Sequence, residues 1–308
     1  MIDVLVIGTG PAGCTAAIYC ARAGRSVKMI VGPQSGGQLT IASLIENYPG
    51  FVEPIEGPKL MSDMVTQAER MGVQVESDTI TGVDFHQNPF ICHGERRDYQ
   101  SKSVIIATGA SAKWLGLASE EQYRGRGVSA CATCDGFFFK NKTVAVVGGG
   151  NTAISEALYL TNFASKVYLI HRRDVFRCEK VLQDRVKEHP KIELLLNNRV
   201  EEIIGNETRV TGIKLADVKN NRNSTVELDG VFIAIGHTPA SEIFRNQIAI
   251  DSDGYIMVNE SNRETSVPGI FAAGDVCNKV YRQAVIAAGQ GCIAAMSADK
   301  YLESCNVL

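Results

Sequence analysis

A short apolar run, a glycine-rich turn, a helix-forming stretch and a second apolar run occur in that order twice in this chain. In the first occurrence, IDVLVI (2–7) is β-branched and apolar enough for a buried parallel strand. Gly8, Gly10 and Gly13 come next as GxGxxG, CTAAIYCARAG continues with helical propensity as far as Gly24, and SVKMIV (26–31) predicts a second strand. The second occurrence, TVAVVGGGNTAISEALYLTNFASKVYLIHRR (143–173), repeats the pattern with Gly148, Gly150 and Ala153. Glycine is needed because a Cβ would block the tight turn, the approach of backbone N–H groups to a pyrophosphate, and close helix–strand packing. A lone GxGxxG is weak, but one set between a strand and a helix is far more specific. Two of them predict an α/β protein with two Rossmann-like folds, and hence two dinucleotides.

The residues just beyond each second strand separate the two sites. After VYLI come His171, Arg172, Arg173 and then Arg177, where an NAD site would place an acid on the ribose hydroxyls. Guanidinium groups there bind a 2'-phosphate bidentately, so the pattern favours NADPH over NADH. The first fold ends instead in VGPQSGGQL (31–39), with no acid before Glu46. Gly36, Gly37 and Gln38 suit a longer ligand than NAD, and a flavin dinucleotide is the natural candidate. Near the C-terminus, TSVPGIFAAGDVCN (265–278) sets an apolar strand directly before Gly274 and Asp275, which places a carboxylate at a strand end where α/β sheets bind ligands.

These motifs predict a split architecture, with the second Rossmann-like domain inserted into the first. Residues 1–112 and 246–308 form the first domain, because the 60 or so C-terminal residues, with the Asp275 strand and a long helix, are too few for a third. The inserted domain runs over 115–245, with crossings near Trp114 and Ser241, and NNRNS (220–224) predicts a hairpin turn.

Charge and cysteine usage narrow the chemistry. Lys plus Arg total 31 against 34 Asp plus Glu, a net charge of -3, so no basic field invites nucleic acid. No run approaches the ~20 apolar residues of a membrane span, and the N-terminus lacks the basic start of a signal peptide. Nine scattered cysteines fit a reducing cytoplasm better than a secreted disulfide scaffold.

Two of those cysteines, Cys131 and Cys134, stand in GVSACATCDGFFF (127–139). A structural zinc site needs a second pair or suitably spaced histidines, and none is present, so no metal is expected. Buried free thiols remain an alternative. A redox pair accounts better for the neighbours: Asp135 directly adjoins Cys134 and can move the proton each thiol exchange requires, while Ala130, Ala132 and Thr133 leave the sulfurs accessible. Phe137, Phe138 and Phe139 suit either a core or a partner-docking surface, and Arg124 and Arg126 either a solvated face or steering of an acidic partner.

Taken in order, GTGPAG, GGQL, ENYPG, ATGA, CATCDGFFF, GGGNTA, HRRDVFR, IGHTP, AAGDV and YRQA resemble the low-molecular-weight thioredoxin reductases over essentially the whole length. The resemblance implies a homodimer using FAD and NADPH, with a swinging inserted domain and thioredoxin as disulfide substrate. It implies FAD contacts from Gly8, Gly10, Pro11, Ala12 and Gly13, from Val31, Gly32, Gly36, Gly37 and Gln38, from Asn47, and from Asp275, Val276, Arg282, Gln283 and Ala284. It implies NADPH contacts from Gly148, Gly150, Asn151, Thr152, Arg172, Arg173 and Arg177, with Cys131 and Cys134 as the redox pair and Asp135 as acid/base. Ser155 before Glu156 departs from the paired acids of that family.

Rival readings differ in identifiable ways. The flavoprotein of peroxiredoxin systems carries an extra N-terminal redox domain, whereas here the first strand begins at residue 2. Ferredoxin reductases of similar fold lack the dithiol. A reductase of another disulfide partner, or a small-molecule dithiol oxidase, would share the same cysteines. A non-enzymatic flavin sensor is disfavoured because every reactive residue type is present.

Overall fold

A computed structural model describes residues 1–41 and 44–305. Residues 42, 43 and 306–308, which the sequence pattern assigns to the first domain, lie outside the described residues. The chain begins with β1 (Ile2–Ile7), α1 (Pro11–Arg22), β2 (Val27–Ile30), α2 (Gly57–Arg70), β3 (Gln74–Glu76), β4 (Ile80–Asp84), β5 (Phe90–Gly94), β6 (Asp98–Ile106) and β7 (Ala110–Ala112). It continues with α3 (Ala118–Gln122), β8 (Val128–Ser129), α4 (Ala132–Asp135), β9 (Thr143–Val147), α5 (Asn151–Leu160), β10 (Lys166–His171), α6 (Lys180–Glu188) and β11 (Ile192–Leu196). The remainder is β12 (Asn198–Gly205), β13 (Val210–Asp217), β14 (Asn223–Glu227), β15 (Gly230–Ile233), β16 (His237–Pro239), β17 (Ile270–Ala272) and α7 (Ala284–Cys305).

The chain divides into two compact units, Met1–Ser111 with Thr238–Leu308, and Ala112–His237. The second boundary falls earlier than the sequence expectation of residue 245. Residues 238–245 are held by the first unit: the Ala240 N–H donates to Gly109 O (3.0 Å), the Thr108 hydroxyl donates to Ala240 O (2.7 Å), and Phe244 is fully buried, stacked on Phe85. A phenylalanine in a loop declares no allegiance in sequence; its packing partner decides.

In the first unit the sheet order is β3-β2-β1-β6-β5-β4, and the C-terminal half of β6 pairs in parallel with β17 through Val104↔Ile270 to Ile106↔Ala272. Strand order reverses at β1/β6, so the turn after β1 lies at the switch point where α/β sheets take ligands. One sheet face, with Met29 of β2, is covered by α1, α2 and α7 through Cys14, Ala17, Leu60, Ala294 and Ala298; the other packs Phe85, Phe90, Phe244 and Ile256. Helices α1 and α7 approach closely because small residues face each other, and a Cβ on Gly291 would lie 2.2 Å from the Ala12 carbonyl oxygen.

In the second unit the five parallel strands run β11-β10-β9-β15-β8, again reversing beside the strand that feeds the glycine turn. Helices α5 and α6 cover one face, and the antiparallel sheet β12-β13-β14 the other, with Ile203, Ile213 and Leu215 buried. The β13–β14 turn begins after Asp217, whose carboxylate accepts from the backbone N–H groups of Lys219 and Asn220, and Asn221 has φ +53°.

Candidate functional site

In the first unit the glycine turn is shaped by direct contact. Gly8 has φ +111°, and a Cβ there would lie 2.3 Å from Ala107 O. A Cβ on Gly13 would lie 2.0 Å from Gly8 O, so the first turn of α1 packs on the strand exit. Gly10 differs: nothing lies within 4 Å of where its Cβ would point. It N-caps α1 with no side-chain hydrogen bond, Pro11 comes next, and the first turn carries no acid, leaving backbone N–H groups and the positive end of the helix dipole for an anion.

The 31–38 loop closes on this turn. Thr9 Oγ1 accepts from the Gly36 N–H at 3.0 Å, and a Cβ on Gly37 would come 3.8 Å from Gly10 Cα. Gln38 is exposed and donates to Gln34 Oε1. Thr9, which sequence reasoning passed over, is therefore the tie between the two expected segments. Its signal was its place inside GTGPAG.

Asp275 emerges three residues after β17, at the same carboxyl end of the sheet. Burial pushes its carboxyl up to about 6, against a weaker opposing pull from Arg282. The Arg282 guanidinium donates through Nη2 to the Tyr255 hydroxyl (3.0 Å), while its Nε is buried without a hydrogen bond. Asn47 Nδ2 lies 3.4 Å from Gln283 Oε1, bringing two further expected contacts together. Val276 is fully buried in the core, so its side chain is not free for a ligand, and Ala284 opens α7. An open amide cradle, a desolvated carboxylate suited to a polyol and an unsatisfied guanidinium N–H fit a flavin dinucleotide.

In the second unit Gly148 would place a Cβ 2.4 Å from Ala234 O, whereas Gly150, the N-cap of α5, has open space before it. Asn151 Oδ1 accepts from the Glu179 N–H (3.1 Å), and the Arg177 N–H donates to Gly149 O (2.7 Å), so the arginine loop is sewn to the glycine turn. Asn151 is thus engaged within the protein, and Thr152 is half-buried beside it. Arg172, Arg173 and Arg177 are exposed, and none makes an ion pair with a described carboxylate, whereas nearby Asp174 pairs with Lys219 (3.0 Å). His171, stacked on Phe176, is held below the usual imidazole range by burial and by these three cations. The cluster fits a phosphate monoester.

Cys131 and Cys134 form a disulfide with Cα atoms 5.3 Å apart. Cys131 N-caps α4 and Cys134 lies within it, just beyond β8, at the carboxyl end of the parallel sheet, the end at which Gly148 and His171 also lie. Ser129, unmarked in sequence, organises the pair: its Oγ accepts from the Cys131 N–H at 3.0 Å. Burial raises the Asp135 carboxyl above its ordinary range, partly offset by a hydrogen bond with Ser129. Among the described residues no cluster suits a metal ion. Of the three phenylalanines, Phe139 is buried edge-on against Phe232, while Phe137 and Phe138 are exposed at 59% and 41%, so the run divides between core and surface.

Comparison with known proteins agrees with this arrangement. The chain is 54% identical over 302 residues to thioredoxin reductase of Rickettsia felis, covering 97% of each chain. It is 48% identical over 308 residues to thioredoxin reductase of Escherichia coli O157:H7, covering 97% of this chain and 96% of the relative. The solved thioredoxin reductase of Streptococcus pyogenes superposes with TM-score 0.94 at 41% identity over 99% of both chains, and that of Giardia duodenalis with 0.95 at 37% over 98% and 99%. The profile of the pyridine nucleotide-disulphide oxidoreductases matches residues 2–291, and the chain belongs to that family.

Proposed function

We propose that this chain is an NADPH-dependent thioredoxin-disulfide reductase that binds FAD. The observation that carries the reading is the Cys131–Cys134 disulfide beside the half-buried Asp135, at the same carboxyl end of the parallel sheet as a phosphate-ready arginine cluster. Gly8 to Gly13, Gly36, Gly37, Asp275 and Arg282 would hold FAD; Gly148, Gly150 and the three arginines would hold NADPH. When bound, these cofactors supply an electron pair that originates as the nicotinamide's hydride.

The chain's own residues do the rest. Reduction breaks the Cys131–Cys134 S–S bond and leaves two sulfurs that have gained two electrons and take up two protons. Asp135, whose carboxyl keeps its proton to higher pH than an exposed aspartate, is placed to give and retrieve one of them. One thiolate then attacks the substrate disulfide to form a mixed disulfide, and the other cysteine displaces it. The substrate leaves as a dithiol and the Cys131–Cys134 bond is restored.

A homodimer is supported by α7, which is apolar on both sides. Ala287, Gly291, Ala294 and Ala298 pack inward, yet Val285, Ile293 and Met296 are exposed, and Tyr19 of α1 is also exposed. A helix apolar all round asks for cover on its second face. A reducing cytoplasm is supported by the seven free cysteines, of which Cys14, Cys20 and Cys92 are buried. No helix among the described residues is long and apolar enough to cross a membrane.

The deciding experiment combines the purified protein with NADPH and thioredoxin, follows thiol release with a thiol reagent, and includes Cys134→Ser. Turnover that disappears in the variant is the expected result. NADPH oxidation without thioredoxin reduction would redirect the reading to another disulfide partner or a small-molecule dithiol.

A further inference from the structure

Arg263 sits in what reads in sequence as a polar surface loop, NESNRET, yet it is only 2% exposed and is the largest fully buried side chain among the described residues. Its φ is +62°, a left-handed backbone that strains an L-residue and that glycine would adopt freely. A buried guanidinium adds a desolvation cost of its own. A charged side chain held under both penalties needs compensating bonds, and the structure shows them. Nη1 pairs with the Glu260 carboxylate, Nε donates to Ala272 O at 3.4 Å, and Nη2 reaches Cys277 Sγ at 3.0 Å.

The third bond leads to the candidate flavin site. Burial pushes the Cys277 thiol up to about 11, so it keeps its proton at neutral pH, and Sγ lies 3.2 Å from Gly274 O as donor. The Cys277 N–H donates to the same carbonyl at 3.1 Å, and the Gly274 N–H donates to Gln290 Oε1 at 2.9 Å. The peptide leading into Asp275 is therefore fastened from below, with Arg263 as the first link. Ala272 N–H also donates to Arg263 O (3.0 Å), so the residue grips the end of β17 through backbone and side chain together.

We propose that Arg263 is a positioning residue for Asp275, acting through the Cys277 thiol on the Gly274 carbonyl to fix the turn that presents the carboxylate to a bound flavin dinucleotide. The inference rests on the FAD reading above.

The test is the FAD dissociation constant of the purified protein, measured by equilibrium dialysis, for Arg263→Met, Cys277→Ala, Cys277→Ser and Asp275→Ala, together with the Arg263→Met/Asp275→Ala double variant. Arg263→Met should weaken FAD binding about tenfold, the effect of one charge-assisted hydrogen bond. Cys277→Ala should weaken it severalfold and Cys277→Ser should not, because serine both donates and accepts. In the Asp275→Ala background, Arg263→Met should change the constant by less than about twofold, since a residue acting through the Asp275 side chain has nothing left to position. A full tenfold loss in that background would assign Arg263 to general stability and overturn the proposal while leaving the flavin reading intact. Should Arg263→Met not fold, equal binding by Cys277→Ala and wild type would overturn it as well. Wild-type protein that bound no FAD would remove both readings.

Discussion

Replacing Gly10 and Gly13 one at a time by alanine separates fold from ligand in a motif where the two are usually confounded. A Cβ on Gly13 would stand 2.0 Å from Gly8 O and 2.9 Å from Gly8 C, both backbone atoms at the exit of β1. Ordinary contact needs roughly 3.5 Å, so the start of α1 must retreat by more than an ångström from the sheet. Such overpacking costs about 2–3 kcal/mol, or roughly 3–5 °C in Tm for a chain of this size. The Cβ of Gly10 would meet nothing within 4 Å, and its φ of −69° suits any residue. Alanine is a poorer N-cap than glycine by about 0.5–1 kcal/mol, and the stiffer unfolded chain returns a similar amount.

The flavin-free Tm of Gly10→Ala should therefore lie within about 2 °C of wild type. Its FAD affinity should fall about thirtyfold or more, because a methyl group where a pyrophosphate must approach breaks at least one charge-assisted N–H bond. Thermal denaturation of flavin-stripped protein and equilibrium dialysis against FAD read the two effects separately. Gly10→Ala with wild-type FAD affinity would refute the cradle assignment, and Gly13→Ala with unchanged Tm would refute the packing analysis.

Three further outcomes are expected. Replacing Arg172 and Arg173 together by glutamine should raise KM for NADPH about thirtyfold and that for NADH by less than about twofold, because only the former carries the 2'-phosphate; equal changes would sink that assignment. Asp275, raised by burial to about 6, favours the folded state only while protonated, so its contribution is complete below about 3.8 and lost as pH rises through 6. Flavin-free Asp275→Asn should then be more stable than wild type at pH 7, by at most about 3 kcal/mol, and no more stable near pH 4, as urea titrations at the two pH values would reveal. Asp135→Asn should lower thioredoxin turnover about a hundredfold and abolish the alkaline limb that deprotonation of a raised carboxyl creates in the pH–rate profile; an unchanged profile would move the proton step elsewhere.

The parts of this molecule legible in sequence are those whose cause is local. IDVLVI, the glycine spacing and the apolar face of α1 arise from neighbours within a few residues, and both turns have the shape their glycines require. The Cys131–Cys134 pairing was legible for the same reason, since only three positions separate the sulfurs. Where the cause is distant, the pattern is silent. Short β8, two residues long, gives no periodicity to detect, yet its pairing with β15 delivers the dithiol to the sheet edge. Phe244 settles the boundary near residue 237 by stacking on Phe85, far away in the chain and without any local marker.

The polar residues that hold the sites show the same limit more sharply. Thr9 finds Gly36 across 27 positions, Gly274 finds Gln290 across 16, and Ser129 works within two but looks like any small residue before a helix. Arg263 is the extreme case. Composition assigns an arginine among asparagines, serine and glutamates to solvent, because that is where an unpartnered guanidinium is cheapest. It is buried here only because Glu260, Ala272 O and Cys277 converge on it, around the end of a strand, β17, that is held in the sheet by β6. Sequence patterns register the average cost of burying a group, whereas a folded site is built where particular partners cancel that cost. The residues that position chemistry are thus the ones a pattern is least equipped to find.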